Sequence, residues 1–127
     1  MNLYTVLVSG GRDYANCAKV FACLDTILFL YGDVDIIHGA CPTGADYYAE
    51  LWAKSRQQIY SGIPAEWDKY GKRAGILRNE YMDEMALHDQ AVFFEGRRGT
   101  LNMLELTRKS ALIRPIIIWL PDGEFWK

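Results

Sequence analysis

Four short segments of this 127-residue chain combine glycines with residue types that hold anions and sugars. Ser9-Gly10-Gly11-Arg12-Asp13 offers two glycines for close backbone approach, a hydroxyl, and a guanidinium shaped for bidentate phosphate contact. His38-Gly39-Ala40-Cys41-Pro42-Thr43-Gly44-Ala45-Asp46 is small and flexible, so its amides can surround an anion, while Asp46 can accept from ribose hydroxyls. Between Trp67 and Asn79, aromatic rings stand beside Lys69, Lys72, Arg73, Arg78, Asn79 and the glycines Gly71 and Gly75, which combines stacking with phosphate pairing. Glu95-Gly96-Arg97-Arg98-Gly99-Thr100 again joins glycines, arginines and a hydroxyl. The chemistry these segments share is recognition of a phosphate and a sugar.

Each segment alone has a plainer reading. Ser9 to Asp13 can be a tight turn with a surface arginine, and Asp13 and Asp46 can do no more than stabilise a helix N-terminus. His38 reads more readily as a satisfied structural imidazole than as an acid or base, and Cys41 as a small packed residue rather than a nucleophile. Lys69 and Arg73 fit a solvated helix face, whereas Arg78 and Asn79 stand among Ile76, Leu77 and Met82. What favours the binding reading is that all four segments fall on one edge of a single predicted sheet.

The elements that place them there follow from hydrophobic periodicity. Tyr4 to Val8 is a β-rich apolar run cut by Ser9-Gly10-Gly11, and Val34 to Ile37 is a second, ending at His38-Gly39. Ala91 to Phe94 is a strand stopped by Gly96, and Ile116 to Leu120 is a last one ended by Pro121-Asp122-Gly123. Around Gln58 to Ile63 a further strand is read, interrupted by Gly62 and Pro64. Helical spacing covers Asn16 to Tyr31 with Gly32 as its stop, then Tyr47 to Arg56, a stretch carrying Ile76, Met82, Met85 and Ala86, and Thr100 to Ser110. Continuously apolar strands separated by helices predict a Rossmann-like, three-layer α/β fold, with a mainly parallel sheet of about five strands covered on both faces. Ligands of such sheets sit at the carboxyl ends of the strands, where helix N-termini present unpaired N–H groups.

Length and composition bound the rest. A chain of 127 residues buries one core, so residues 1–127 are read as a single domain. The net charge of −2 gives no general attraction to nucleic acid or anionic membrane, so any anion binding must be local. Cys17, Cys23 and Cys41 have no metal-binding or disulfide spacing, so neither a metal nor another cofactor is expected and a reducing compartment is. The N-terminal apolar stretch is too short for a signal peptide or membrane span, so a cytoplasmic location is expected.

Val-Ser-Gly-Gly-Arg-Asp-Tyr, the unbroken run from His38 to Asp46, Pro-Ala-Glu-Trp with Gly-Lys-Arg-Ala-Gly-Ile-Leu-Arg-Asn, and Gly-Arg-Arg-Gly-Thr occur in this order. Together they resemble the YspA/YpsA-related branch of the SLOG superfamily over nearly the whole chain. That superfamily also holds the DNA-processing protein DprA and the LOG cytokinin-activating enzymes. The resemblance implies a Rossmann-like fold that binds nucleotides, nucleotide derivatives or nucleic acid. It also exposes departures. The LOG signature Pro-Gly-Gly-x-Gly-Thr-x-x-Glu is matched here by Glu95 to Met103, so Met103 stands where the acid/base glutamate would be, Glu95 replaces the proline and Arg97 the second glycine.

The expected function is therefore binding of a nucleotide-derived small molecule, for sensing, carrying or sequestering it. Its site is expected to draw on Ser9, Gly10, Gly11 and Arg12, on His38, Gly39, Thr43, Gly44 and Asp46, and on Trp67, Lys72, Gly75, Arg78 and Asn79. Gly96, Arg97, Gly99 and Thr100 complete it, with Arg78 pairing with phosphate. An N-glycosidic hydrolase is the alternative and would need Asp46 or Glu105 in place of the missing glutamate. Single-stranded nucleic acid binding would rest on Lys69, Lys72, Arg73, Arg97 and Arg98. Self-association as a dimer is expected through the face of the second helix that carries Tyr48 and Trp52, four residues apart.

Overall fold

Val6, Val8, Ile36 and Val92 turn to one face of a sheet, while Leu7, Ile37, Ala91 and Phe93 turn to the other, and both sets are buried. This period of two, with both faces apolar, is what a sheet covered by two helical layers requires. The computed structural model, which describes residues 3–124, has that architecture. Five parallel strands run β1 (Tyr4–Ser9), β2 (Val34–His38), β3 (Ile59–Gly62), β4 (Gln90–Phe93) and β5 (Ile117–Trp119). The helices are α1 (Cys17–Tyr31), α2 (Gly44–Ser55), the single turn α3 (Trp67–Tyr70) leading through a 3₁₀ turn at Gly71–Arg73, α4 (Ala74–Ala86) and α5 (Arg98–Ser110).

The spatial order is β3-β2-β1-β4-β5. The chain builds outward from β1 to β3, crosses back, and builds outward again through β4 and β5. Pairing runs Val6↔Ile36 on one side of β1 and Val8↔Val92 on the other, so β1 is the central strand. Helices α1 and α2 cover one face with Val20, Leu24, Ile27, Ala49 and Trp52. Helices α4 and α5 cover the other with Met82, Met103 and Leu104. Asn16 caps α1 by accepting the Lys19 N–H at 3.1 Å, and the Gly32 N–H closes its last turn on Leu28.

The sheet is less evenly covered than its sequence predicts. β3 is exposed along its whole length, and Ile117 of β5 is exposed too, so burial on both faces belongs to the three inner strands. Gly62 does not interrupt β3. A side chain there would come within 2.8 Å of the His38 ring, so glycine is what lets the imidazole lie against the strand.

A second correction concerns α2. Trp52 is fully buried and donates its indole N–H to Asp25 at 2.8 Å, while Tyr48 packs against the same core. The face carrying these rings is spent on the domain's own interior, and the outward face carries Tyr47 and Leu51 instead. A large ring four residues from another shares its face, but the spacing does not say whether that face looks in or out. Among the described residues, no helix is long and apolar enough to cross a membrane.

Candidate functional site

At the carboxyl ends of β1, β2 and β4, where the order of strands reverses, the turns enclose a cavity of about 630 Å³. Ser9, Gly10, Gly11, Arg12 and Asp13 form one wall. Gly39, Cys41 and Asp46 form a second, Arg78, Asn79 and Met82 a third, and Arg97, Arg98, Gly99 and Thr100 a fourth. Four arginines against two aspartates leave this surface net cationic, although the chain as a whole carries −2.

The turns are stitched to one another before any ligand arrives. Thr43 Oγ1 donates to the Arg12 carbonyl at 2.7 Å, the Ala45 N–H to the Gly11 carbonyl at 3.3 Å, and the Gly11 N–H to the Glu95 carbonyl at 3.0 Å. Gly44 makes the first of these junctions possible. Its φ is +75°, and a side chain there would stand 2.1 Å from the Gly11 carbonyl oxygen. Only glycine takes that backbone conformation without strain and leaves room for the neighbouring turn.

His38 holds the second turn from below. Its Nδ1 accepts the Ala40 N–H at 2.9 Å, which leaves the proton on Nε2 to be donated to Glu50 Oε1 at 3.0 Å. The imidazole is buried, is absent from the cavity wall, and supports a turn in which Ala40 takes a left-handed φ of +59°.

Asp46 and Arg78 bracket Gly39. The carboxylate is buried, and its Oδ2 accepts the N–H groups of Gly39 at 3.1 Å and Cys41 at 3.2 Å. Burial pushes this carboxyl above the usual carboxylate range, opposed by His38, the Cys41 N–H, Arg78 and the Gly39 N–H. Arg78 donates through Nη1 to the Gly39 and Ile63 carbonyls and through Nε to Asn79 Oδ1 at 2.9 Å. Burial lowers its affinity for the proton, with Asp46 and Cys41 opposing, which marks a cation short of compensating charge. Asn79 in turn donates to the Gly99 carbonyl at 3.1 Å and to Asn102 Oδ1 at 2.9 Å, tying α4 to the first turn of α5.

The first turn of α5 borders the same cavity. No side chain caps it, so the N–H groups of Arg98, Gly99 and Thr100 open on the cavity with the positive end of the helix behind them. Arg97 reaches across the mouth to Asp13 at 3.3 Å, an exposed pair that an incoming phosphate would compete with.

Of the residues expected at the site, Ser9, Gly10, Gly11, Arg12, Gly39, Asp46, Arg78, Asn79, Arg97, Gly99 and Thr100 do converge on this cavity. His38, Thr43, Gly44 and Gly96 do not line the cavity but support its turns, Thr43 from an exposed position and Gly96 packed on Thr100. Trp67, Lys72 and Gly75 lie outside it: Trp67 is half exposed with its ring over Gly75, and Lys72 is exposed on the 3₁₀ turn. Sequence reasoning left out Val8, Asp13, Cys41, Met82 and Arg98, which also border the cavity, Val8 and Met82 as buried residues beneath it. Met82 stands one helical turn from Arg78 and Asn79, and that spacing is the signal that could have found it. Asn102, which positions Asn79, had no such signal.

Met103 is fully buried in the core behind α5, and Glu105 is exposed and away from the cavity. Asp46 is therefore the one buried carboxylate at the cavity among the described residues. No cluster of three or more potential metal ligands occurs among them.

The sequence profile of the YspA, cpYpsA-related SLOG family matches residues 4–70, a stretch that carries the first two glycine turns. The gene 61 protein of Mycobacterium phage D29 is 32% identical over 120 residues, an alignment that covers 88% of this chain and 93% of that protein.

Proposed function

The chain belongs to the YspA, cpYpsA-related SLOG family, and from that premise we propose that it binds a nucleotide-derived small molecule in the cavity at the ends of β1, β2 and β4. One observation carries this reading: the uncapped first turn of α5 borders the same cavity as the four arginines and the buried Asp46. An acceptor-rich group such as phosphate satisfies those N–H groups, and a mostly prebuilt wall keeps the cost of ordering low.

Calorimetric titration with AMP, GMP, CMP and UMP, each against its unphosphorylated nucleoside, tests it. At least one nucleotide should bind, and its nucleoside should bind about tenfold more weakly or worse. Arg98→Ala should weaken that nucleotide by about 1.5 kcal/mol through loss of one charge-assisted contact. Nucleosides binding as well as nucleotides would remove phosphate recognition from the cavity.

Catalysis is not part of the proposal. With Met103 in the core and Glu105 outside, glycosidic cleavage would fall to Asp46, whose Oδ2 already accepts two backbone N–H groups. Incubation with the same four nucleotides should release no free base above background by chromatography. Base release that disappears in Asp46→Asn would make the protein a hydrolase.

A further inference from the structure

Asp46 and Arg78 stand side by side in the cavity wall without bonding to each other, although each is short of partners. Both flank Gly39 so closely that a side chain there would touch Asp46 Oδ2 and the Arg78 guanidinium together. Asp46 Oδ2 is taken by two backbone N–H groups and Arg78 Nη1 by two carbonyls, while no described residue hydrogen-bonds to Asp46 Oδ1 or Arg78 Nη2. An acceptor and a donor, both left open on side chains that flank one glycine, call for a group that donates and accepts at once.

We infer that this pair reads the vicinal hydroxyls of a ribose, so that the ligand is a ribonucleotide seated with its phosphate on α5 and its 2′,3′-diol against Asp46 and Arg78. The inference rests on the nucleotide-binding reading of the cavity and names the substrate class for it.

Two alternatives for the pair fit less well. A phosphate accepts only, so beside Asp46 it would place two anions together in a largely desolvated wall. A base edge presents donors and acceptors too, but a carboxylate with one oxygen already occupied cannot take it in the bidentate manner that makes such pairing selective. Arg78 bonds to Asn79, and Asn79 bonds to the Gly99 carbonyl, so the pair is tied through one amide side chain to the first turn of α5.

The test uses AMP, GMP, CMP and UMP against their 2′-deoxy counterparts on the wild-type protein, then on Asp46→Asn. Wild type should bind the ribonucleotide about tenfold or more tightly than its deoxy partner, because the missing hydroxyl leaves a buried charge unpaired. Asp46→Asn keeps the shape and one acceptor for the Gly39 and Cys41 N–H groups but presents an amide donor to the sugar, and should bring the two affinities together. Equal affinity for ribo and deoxy forms in the wild type overturns the inference while leaving nucleotide binding in place, and needs no variant to fold. Retention of the ribose preference in a folded Asp46→Asn protein overturns the role of Asp46. Absence of binding by every nucleotide, ribo or deoxy, overturns the functional reading itself and this inference with it.

Discussion

Gly44→Ala should cost the protein about 3 kcal/mol or more and abolish the proposed nucleotide binding, although Gly44 does not line the cavity. Two penalties combine at this position. An L-residue held in the left-handed region costs about 1–2 kcal/mol, and forcing an added methyl into a packed site costs a further 1–3 kcal/mol. Here the added carbon would sit 2.1 Å from the Gly11 carbonyl oxygen and 2.8 Å from the backbone of Arg12, so the β1–α1 turn must move away. That movement breaks the Thr43–Arg12 and Ala45–Gly11 hydrogen bonds and pulls Gly11 off the Glu95 carbonyl, so three walls of the cavity lose register together. Gly99→Ala is the matched control. Gly99 lies on the cavity, but an added carbon there meets nothing within 4 Å and its φ is ordinary, so stability should change by less than about 0.5 kcal/mol. Urea denaturation of both variants decides the matter. A Gly44→Ala protein as stable as Gly99→Ala would mean that the turns are not locked as described.

The second large effect is a loss of stability in mild acid, traced to His88. This imidazole is buried at the opposite end of the sheet from the cavity, and neither ring nitrogen has a hydrogen-bond partner. Burial, reinforced by the Arg114 guanidinium that bonds to its own carbonyl, pushes it down from 6.5 to about 4, with Asp83 and Asp89 opposing. Above pH 6.5 the ring is neutral whether the chain is folded or not, and its contribution to stability is fully present. As the pH falls from there to about 4, the unfolded chain takes up a proton that the folded chain refuses, so the unfolded state gains. Across that window stability should fall with falling pH by about 3 kcal/mol in total.

His88→Met removes the titrating ring and keeps the backbone carbonyl that Arg114 holds, so its stability should be much flatter over the same window. Asp35 and Asp46, both raised by burial, act in the opposite sense, but they do so in wild type and variant alike. The difference between the two pH curves therefore isolates His88. Parallel curves from pH 7 to 4 would show that the ring protonates in the folded protein at no cost.

The elements that could be read correctly from sequence are those whose local pattern leaves one solution. Val6-Leu7-Val8, Ile36-Ile37 and Ala91-Val92-Phe93 are apolar on both alternating faces, and only a strand buried on both sides accommodates that. Asn16 and Gly32 mark both ends of α1 through their own capping bonds. The glycine turns were legible for the same reason, since a turn that follows a buried parallel strand must open at its carboxyl edge. Exposed β3 was harder: four residues at an edge, with a glycine, carry little pattern, and its pairing with β2 comes from the fold around it.

Sequence by itself determined the fold class and the edge of the sheet at which the glycine turns and most of their arginines gather, because each follows from residue types at short spacing. Which side chains meet the cavity, and which only hold it up, was decided by tertiary structure. His38 and Gly62, 24 residues apart, pack as ring on backbone; Arg78 finds the Gly39 carbonyl across 39 residues; and Trp52 turns inward to Asp25 across 27. Hydrophobic period and turn chemistry act over a few residues, whereas these pairings depend on where the strand order reverses and how the helices pack, so they exist only once the whole sheet has formed.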